Sequence, residues 1–242
     1  MISYLANPYR FMAFSRYAVP ICFAAAGLMI AFSVWQGLWV VPPERVQGDS
    51  ARILFVHVPS AILTSASYSA MAMASFIWFV WRHELADIAA KCIAPLGAIY
   101  TALCLASGSI WGKPTWGTWW QWDDARMVSS LMMLFLFLGY MALRAAMDTR
   151  QKAARAGAIL AMVGIINVPL IRFSVDWFTS LHQGPSLLRV DGPSMSAEYL
   201  TPLLVGIAGH ALLFSALVFL SMRTEILERR AARARAAVLA GV

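Results

Sequence analysis

The chain has 242 residues, of which 60% are hydrophobic and only 13% are charged, against roughly 45–50% and about 25% in an average soluble domain. This composition excludes a single water-soluble globule. The formal net charge is +7, and the three cysteines form no C-x-x-C or C-x-x-C-H motif, which excludes a disulfide framework, a thiol oxidoreductase and a c-type cytochrome.

Six stretches of the chain contain no Asp, Glu, Lys or Arg: residues 17–41, 53–81, 92–112, 127–143, 156–171 and 199–222. Because about 20 apolar residues cross the hydrocarbon core of a bilayer, these stretches predict six membrane helices. The fifth is expected to extend to Val175, since the long side chain of Arg172 can reach the headgroups. The predicted fold class is an all-α integral membrane protein with one domain over residues 1–242.

The basic residues predict which side of the membrane each loop faces. If both termini and the loops after the second and fourth helices share one side, that side holds 13 of the 19 basic residues. The positive-inside rule then places both termini in the cytoplasm. The net positive charge therefore reflects membrane topology, and it does not indicate nucleic-acid binding. The basic segment 223–242 is expected as a cytoplasmic tail that continues as a helix or lies on anionic membrane lipid.

The loop between the third and fourth helices then lies on the outer face of the membrane, and it is rich in tryptophan. Residues 111–123 read W-G-K-P-T-W-G-T-W-W-Q-W-D and contain five of the ten tryptophans. An interfacial aromatic belt does not explain five tryptophans in 13 residues. If this segment is helical from Trp116, then Trp116, Trp119, Trp120 and Asp123 share one face. That face would be an apolar shelf able to stack a planar ligand or hold a cation.

Two of the four histidines, His57 and His182, are expected at the same aqueous surface as the tryptophan shelf, on the outer face of the membrane. Two imidazoles that converge on one aromatic shelf favour axial ligation of haem iron. His210 lies near the middle of the sixth helix, where a neutral imidazole bonded to a hydroxyl or carbonyl of another helix is expected. Asn167 and Pro169 predict a kink and an interhelical hydrogen bond in the fifth helix.

The residues leave other classes of function open. A b-type electron-transfer subunit would need histidine pairs at membrane depth, and a transporter with an aromatic cage would need a polar pathway through its helices. The chain contains no G-x-x-x-x-G-K-[ST] motif, so no nucleotide hydrolysis through a P-loop is expected. Any energy input would come from a partner.

Segment 111–123 resembles the tryptophan-rich WWD signature of the haem-handling proteins. The segments H-V-P-S-A at 57–61 and S-L-H-Q-G at 180–184 resemble the histidine segments of one branch, cytochrome c maturation protein C, also called haem exporter protein C (CcmC). The resemblance covers nearly the whole chain, with six spans in matching order. It implies a haem-delivery factor of cytochrome c biogenesis in the bacterial inner membrane, with at most a lyase-like assisting role.

The resemblance also implies a cofactor, a site and partners. Haem b would be bound without a covalent bond, with His57 and His182 as axial ligands. The other implied haem-binding residues are Trp111, Trp116, Trp119, Trp120, Trp122, Asp123 and, for a propionate, Arg126. The implied partners are the periplasmic haem chaperone CcmE, the transporter subunits CcmA and CcmB, and the small protein CcmD. The pair Asp123-Asp124 departs from the single aspartate of the family pattern.

Overall fold

The structure is a computed structural model that describes residues 7–184, 186–187, 189 and 191–239. Over these residues the chain forms α-helices joined by short connections, with no β-strand. The helices are α1 (Pro8–Trp35), α2 (Leu54–Trp81), α3 (Glu84–Trp116), α4 (Ala125–Ala145), α5 (Arg150–Gly164), α6 (Asn167–Trp177) and α7 (Ala197–Leu239). The π-helical turn Gln36–Val40 extends α1, and the 3-10 turn Asp49–Ile53 leads into α2. The prediction of an all-α fold is confirmed.

Six segments of the described chain are long and apolar enough to cross a membrane: Pro8–Val40, Asp49–Trp81, Glu84–Trp116, Ala125–Ala145, Arg150–Trp177 and Ala197–Leu239. They correspond one to one to the six predicted spans, and α5 and α6 together form the fifth. The helices exceed the charge-free stretches because helical hydrogen bonding continues into polar residues beyond the hydrocarbon. The protein is therefore a multi-pass membrane protein.

The fifth span is broken between α5 and α6, as predicted. The ring of Pro169 does not fit against the carbonyl of Ile165 in a continuous helix, and the helix is interrupted at Ile165 and Ile166. The side-chain amide of Asn167 donates a hydrogen bond to the carbonyl of Ser129 on α4, at 2.8 Å. Both the kink and the interhelical hydrogen bond are confirmed.

The centre of the bundle is packed through close helix contacts. The rings of Tyr68 on α2 and Phe137 on α4 meet edge to face with centroids 5.1 Å apart, and both side chains are fully buried. A Cβ atom at Gly97 would collide with the Phe137 ring, and one at Gly164 would collide with the Tyr68 hydroxyl. Glycine at these positions lets α3 and α5 approach their neighbours, as is usual in membrane helix packing.

An ionic cluster of four side chains, Asp87, Arg144, Glu225 and Arg229, joins α3, α4 and α7 at one end of the bundle. Asp87 accepts hydrogen bonds from Arg144 at 2.7 Å and from Arg229 at 3.0 Å. Arg229 also donates to Glu225 at 2.7 Å. Asp87 and Arg229 are buried, and each charge in the cluster has an opposite charge in contact.

Helix α7 is a single helix of 43 residues, about 65 Å long at 1.5 Å per residue. It is about twice as long as the hydrocarbon core is thick, so its last turns lie beyond the membrane. The expectation that the basic segment continues as a helix is met over residues 223–239. Residues 240–242 lie outside the described part of the chain, and the cytoplasmic location of the tail stays a prediction.

Candidate functional site

The structure brings His57 and His182 to the same end of the bundle, opposite the ionic cluster. His57 lies in the first turn of α2, and His182 lies in the connection that follows α6. The last two turns of α3 supply a tryptophan to each. The ring of Trp111 meets His57 edge to face at 5.6 Å between centroids, and the ring of Trp116 meets His182 at 4.7 Å. Because the two indoles are five residues apart on a helix, they point about 140° apart and contact different partners.

His57 is held against one turn of α3. Its Nδ1 atom lies 3.1 Å from the hydroxyl oxygen of Ser107. Its ring lies against Gly108, where a Cβ atom would come within 2.9 Å of the Cε1 atom of His57. A glycine is needed at position 108 because any larger residue would push the imidazole away.

His182 is held by a carboxylate. Its Nδ1 atom lies 3.3 Å from Oδ2 of Asp124 and 3.4 Å from the hydroxyl oxygen of Ser180. The same Oδ2 atom accepts hydrogen bonds from the Ser180 hydroxyl at 2.7 Å and from the Leu181 backbone N–H at 2.9 Å. The other oxygen, Oδ1, accepts from the Met127 backbone N–H at 2.9 Å and caps α4. Asp124 therefore fixes the start of α4 and the His182 segment together.

The electrostatics of this pair favour an ionised carboxylate beside a neutral imidazole. Burial opposes ionisation of Asp124, but hydrogen bonds from Ser180, Met127 and Leu181, and the nearby His182, hold its pKa below the usual value. Burial lowers the pKa of His182 below its usual value, although Asp124 acts in the opposite direction. At neutral pH the His182 ring is therefore uncharged, which is the form that binds a metal.

The predicted helical shelf is not formed, and that expectation is wrong. Helix α3 ends at Trp116, because Gly117 adopts a left-handed backbone conformation with φ of 79°. A glycine in this conformation terminates a helix. Residues 117–124 are not helical, so Trp119 and Trp120 are not stacked on the face of Trp116.

The tryptophans after the end of α3 differ strongly in exposure. Trp119 and Trp122 are 55% and 74% exposed, whereas Trp120 is partly buried. The rings of Trp120 and Trp122 meet edge to face at 5.5 Å. The Nε1 atom of Trp120 is buried and has no hydrogen-bond acceptor among the described residues. A buried indole N–H normally has a partner, so this atom is an unsatisfied donor among the described residues.

Arg126 lies in the first turn of α4, at the same end as the histidines. Its Nε atom donates a hydrogen bond to the Ser174 hydroxyl on α6, at 3.2 Å. Its guanidinium is near enough to both His57 and His182 to act on them electrostatically. A cation at this position can pair with an anionic group.

The structure separates the two neighbouring aspartates. Asp123 is exposed, whereas Asp124 is 2% exposed and contacts the His182 segment. Sequence reasoning named Asp123 and missed Asp124, Ser107 and Ser180; the assignment of Asp123 to the ligand stays a prediction. A signal for Asp124 was available, because an aspartate directly before an apolar helix is a preferred N-cap.

His210 lies away from this site and has an ordinary partner. Its Nδ1 atom is 3.2 Å from the Tyr100 hydroxyl of α3. The expectation of an imidazole bonded to a hydroxyl of another helix is confirmed.

Comparison with known proteins identifies the family. The six segments that can cross a membrane and the histidine–tryptophan contacts described above define the class. The chain is a multi-pass membrane protein with a histidine and tryptophan site at one end of its helices. A family model described as "Heme exporter protein C" matches residues 1–237. The chain belongs to this family.

Curated relatives share the name. Heme exporter protein C of Bradyrhizobium diazoefficiens is 46% identical over 226 residues, which cover 93% of this chain and 85% of the relative. The protein of the same name from Escherichia coli K12 is 40% identical over 224 residues, 92% of this chain and 89% of the relative. That of Paracoccus denitrificans is 40% identical over 229 residues, 94% of each chain. The similarity therefore extends over almost the whole chain.

Proposed function

We propose that this chain is a haem-binding membrane protein of cytochrome c biogenesis. It presents haem at the periplasmic face for covalent loading onto the periplasmic chaperone CcmE. Its family and its relatives carry the name Heme exporter protein C. The observation that carries the proposal is the pair His57 and His182, each bonded through Nδ1 to an oxygen and each beside a tryptophan of α3.

The residues of the site fit haem b. Imidazole is a common axial ligand of haem iron, and an Nδ1 atom that is already hydrogen bonded directs Nε2 to the metal. The buried N–H of Trp120 lacks an acceptor among the described residues, and a propionate oxygen would supply one. Arg126 offers a cation for the same anionic edge. Bound haem supplies iron with two axial positions and a vinyl group that can be attached to a chaperone.

Each residue then has a role that its surroundings support. His57 and His182 hold the iron from separate elements, and Trp111 and Trp116 keep their rings in place. Trp120 and Arg126 bind the propionate edge. The exposed side chains of Trp119, Trp122 and Asp123 remain available to the ring edge and to the chaperone surface. The chain supplies position and orientation, so attachment needs no nucleophile from it.

The proposal includes a topology in the bacterial inner membrane. Both termini are cytoplasmic, because 13 of the 19 basic residues then lie on the inner side. The site faces the periplasm. The transporter subunits CcmA and CcmB, which would supply the energy input, the small protein CcmD and membrane lipid are the proposed neighbours. Reporter fusions after residues 116 and 182 test this arrangement, since a fusion that places residue 182 in the cytoplasm would contradict it.

The ligand assignment is tested by a visible absorption spectrum of the purified full-length protein. We expect a low-spin haem spectrum in the wild type and its loss in His57→Ala and in His182→Ala. His83→Ala is the matched control, since His83 lies at the N-terminus of α3 near the ionic cluster and the spectrum should not change. A low-spin spectrum unchanged in both site variants would reject the two histidines as ligands.

A further inference from the structure

The proton positions at His57 follow from the contacts of Ser107. The Ser107 hydroxyl oxygen lies 2.6 Å from the Leu103 carbonyl oxygen. The same oxygen lies 3.2 Å from the Cys104 carbonyl oxygen. A carbonyl has no hydrogen to give, so the hydroxyl hydrogen points to these backbone carbonyls of α3. The Ser107 oxygen therefore presents a lone pair to Nδ1 of His57, 3.1 Å away. This arrangement favours a hydrogen on Nδ1, which in the neutral ring leaves the lone pair on Nε2.

The same reasoning applies to His182, with a different acceptor. The Ser180 hydroxyl donates to Asp124 at 2.7 Å, so its hydrogen is already used. Both oxygens near Nδ1 of His182 are then acceptors. His182 also carries its hydrogen on Nδ1 and its lone pair on Nε2, but its partner is a carboxylate that is almost completely buried.

We propose that Ser107 and Asp124 are positioning residues which fix both histidines with Nε2 free for iron, and that Asp124 makes His182 the stronger of two unequal axial ligands. This proposal rests on the proposed function. It goes further by assigning an order of release, in which His57 is the ligand that exchanges first when haem is handed on. The exchange is a ligand substitution in which one nitrogen donor leaves the iron as another ligand binds. The oxidation state of the iron does not change.

The inequality follows from the chemistry of the two acceptors. A carboxylate bonded to Nδ1–H increases the basicity of Nε2 and strengthens its bond to a metal. The hydroxyl of Ser107 has a smaller effect on Nε2 of His57, because it is neutral whereas the Asp124 carboxylate is charged. A delivery site gains from this difference. One firm ligand retains the cargo while the weaker one is replaced, so haem is not lost to solvent during transfer.

The positioning claim is tested first in the protein without haem. Nitrogen-15 NMR of histidine-labelled full-length protein in nanodiscs reports the tautomer of each ring, with assignment by single histidine variants. We expect Nδ1–H for both His57 and His182 in the wild type. Ser107→Ala should change the tautomer signal of His57 only, and Ser107→Thr should restore it. An Nε2–H tautomer at either histidine in the wild type overturns the proposal.

The inequality is tested in the haem-loaded protein with Asp124→Asn and Ser107→Ala. Asparagine is as good an N-cap as aspartate, so Asp124→Asn keeps the start of α4 and removes the charge. We expect Asp124→Asn to weaken haem binding about 10–100-fold, as for other outer ligand partners, and to raise the reduction potential. Ser107→Ala should weaken binding by less than about tenfold, since the lost partner is neutral, and should make displacement of one ligand by added imidazole easier.

The outcomes separate this inference from the function on which it rests. Equal losses in the two variants, or a larger loss in Ser107→Ala, overturn the inequality while leaving haem binding in place. A fall or no change in potential in Asp124→Asn also overturns it. If the wild type binds no haem, the proposed function fails, and the NMR experiment still decides whether the two oxygens fix the rings.

Discussion

The two ends of helix α3 differ in whether their buried polar groups have partners. Its first turn carries Asp87 in the ionic cluster. Its last two turns carry Trp111 and Trp116, roughly 36 and 44 Å from Asp87 at 1.5 Å per residue. At the ionic end each buried charge contacts an opposite charge. At the histidine end the buried N–H of Trp120 has no acceptor among the described residues.

Under the proposed function, this difference separates an end that stabilises the fold from an end that binds haem. A satisfied polar network inside a protein is rigid, whereas a partly satisfied one costs stability unless something completes it. Proteins accept such local costs at functional sites. We therefore expect substitutions at the ionic end to act on unfolding and those at the histidine end to act on haem binding.

The largest expected effect is on stability at the ionic end. Asp87→Asn removes the charge that Arg144 and Arg229 share, and breaking a buried ion pair costs about 3–5 kcal/mol. We expect a loss of that size in the free energy of unfolding, measured by denaturant titration in detergent. The control is Asp148→Asn, because the Asp148 side chain is 88% exposed and its pair is worth at most about 1 kcal/mol. Similar losses in the two variants would contradict a stabilising cluster.

A smaller effect, on haem affinity, is expected where the His57 ring packs against Gly108. Gly108→Ala places a methyl group 2.9 Å from the imidazole, so the ring must move from its position at Ser107. We expect haem affinity to fall about tenfold, or 1.4 kcal/mol, with little change in unfolding. Gly27→Ala is the matched control, since a Cβ there meets nothing within 4 Å. An unchanged affinity in Gly108→Ala would argue that the ring position is not important for binding.

The smallest effect is expected from one hydrogen bond. Trp120→Phe keeps an aromatic ring and removes the unpaired N–H, whose bond to a ligand would contribute about 0.5–1.5 kcal/mol. We expect the haem affinity, measured by titration, to fall about 2–13-fold. The stability of the haem-free protein should not fall. Trp81→Phe is the control, because Trp81 is exposed at the C-terminal end of α2, away from the histidines. Should the Trp81 variant lose as much affinity as the Trp120 variant, the buried N–H is not the propionate donor.

The sequence was most informative where one physical constraint acts on a whole segment. Hydrocarbon thickness sets helix length, so the six spans were predictable to within a few turns. The partners of His210 and Asn167 were predictable in kind, because polar groups inside a membrane must be hydrogen bonded. Both are bonded to neighbouring helices.

Sequence periodicity misled where a single backbone conformation intervened. The spacing of Trp116, Trp119 and Trp120 would place them on one face only in a continuous helix. Helix α3 ends before Trp119, because Gly117 has a positive φ. The spacing of the tryptophan motif did not separate Asp123 from Asp124, although the N-cap preference favoured Asp124 for the start of α4. The two residues are chemically identical, and only the packing of α4 against the His182 segment decides which one is buried.

Composition, charge and motif thus determined the class, the number of spans, the family and the two histidines, because each of these is a property of contiguous residues. Tertiary structure alone decided which oxygen meets each imidazole. Ser107 is 50 residues from His57, and Asp124 is 58 residues from His182. Contacts over such separations depend on how helices pack, and no local pattern in the chain records that packing.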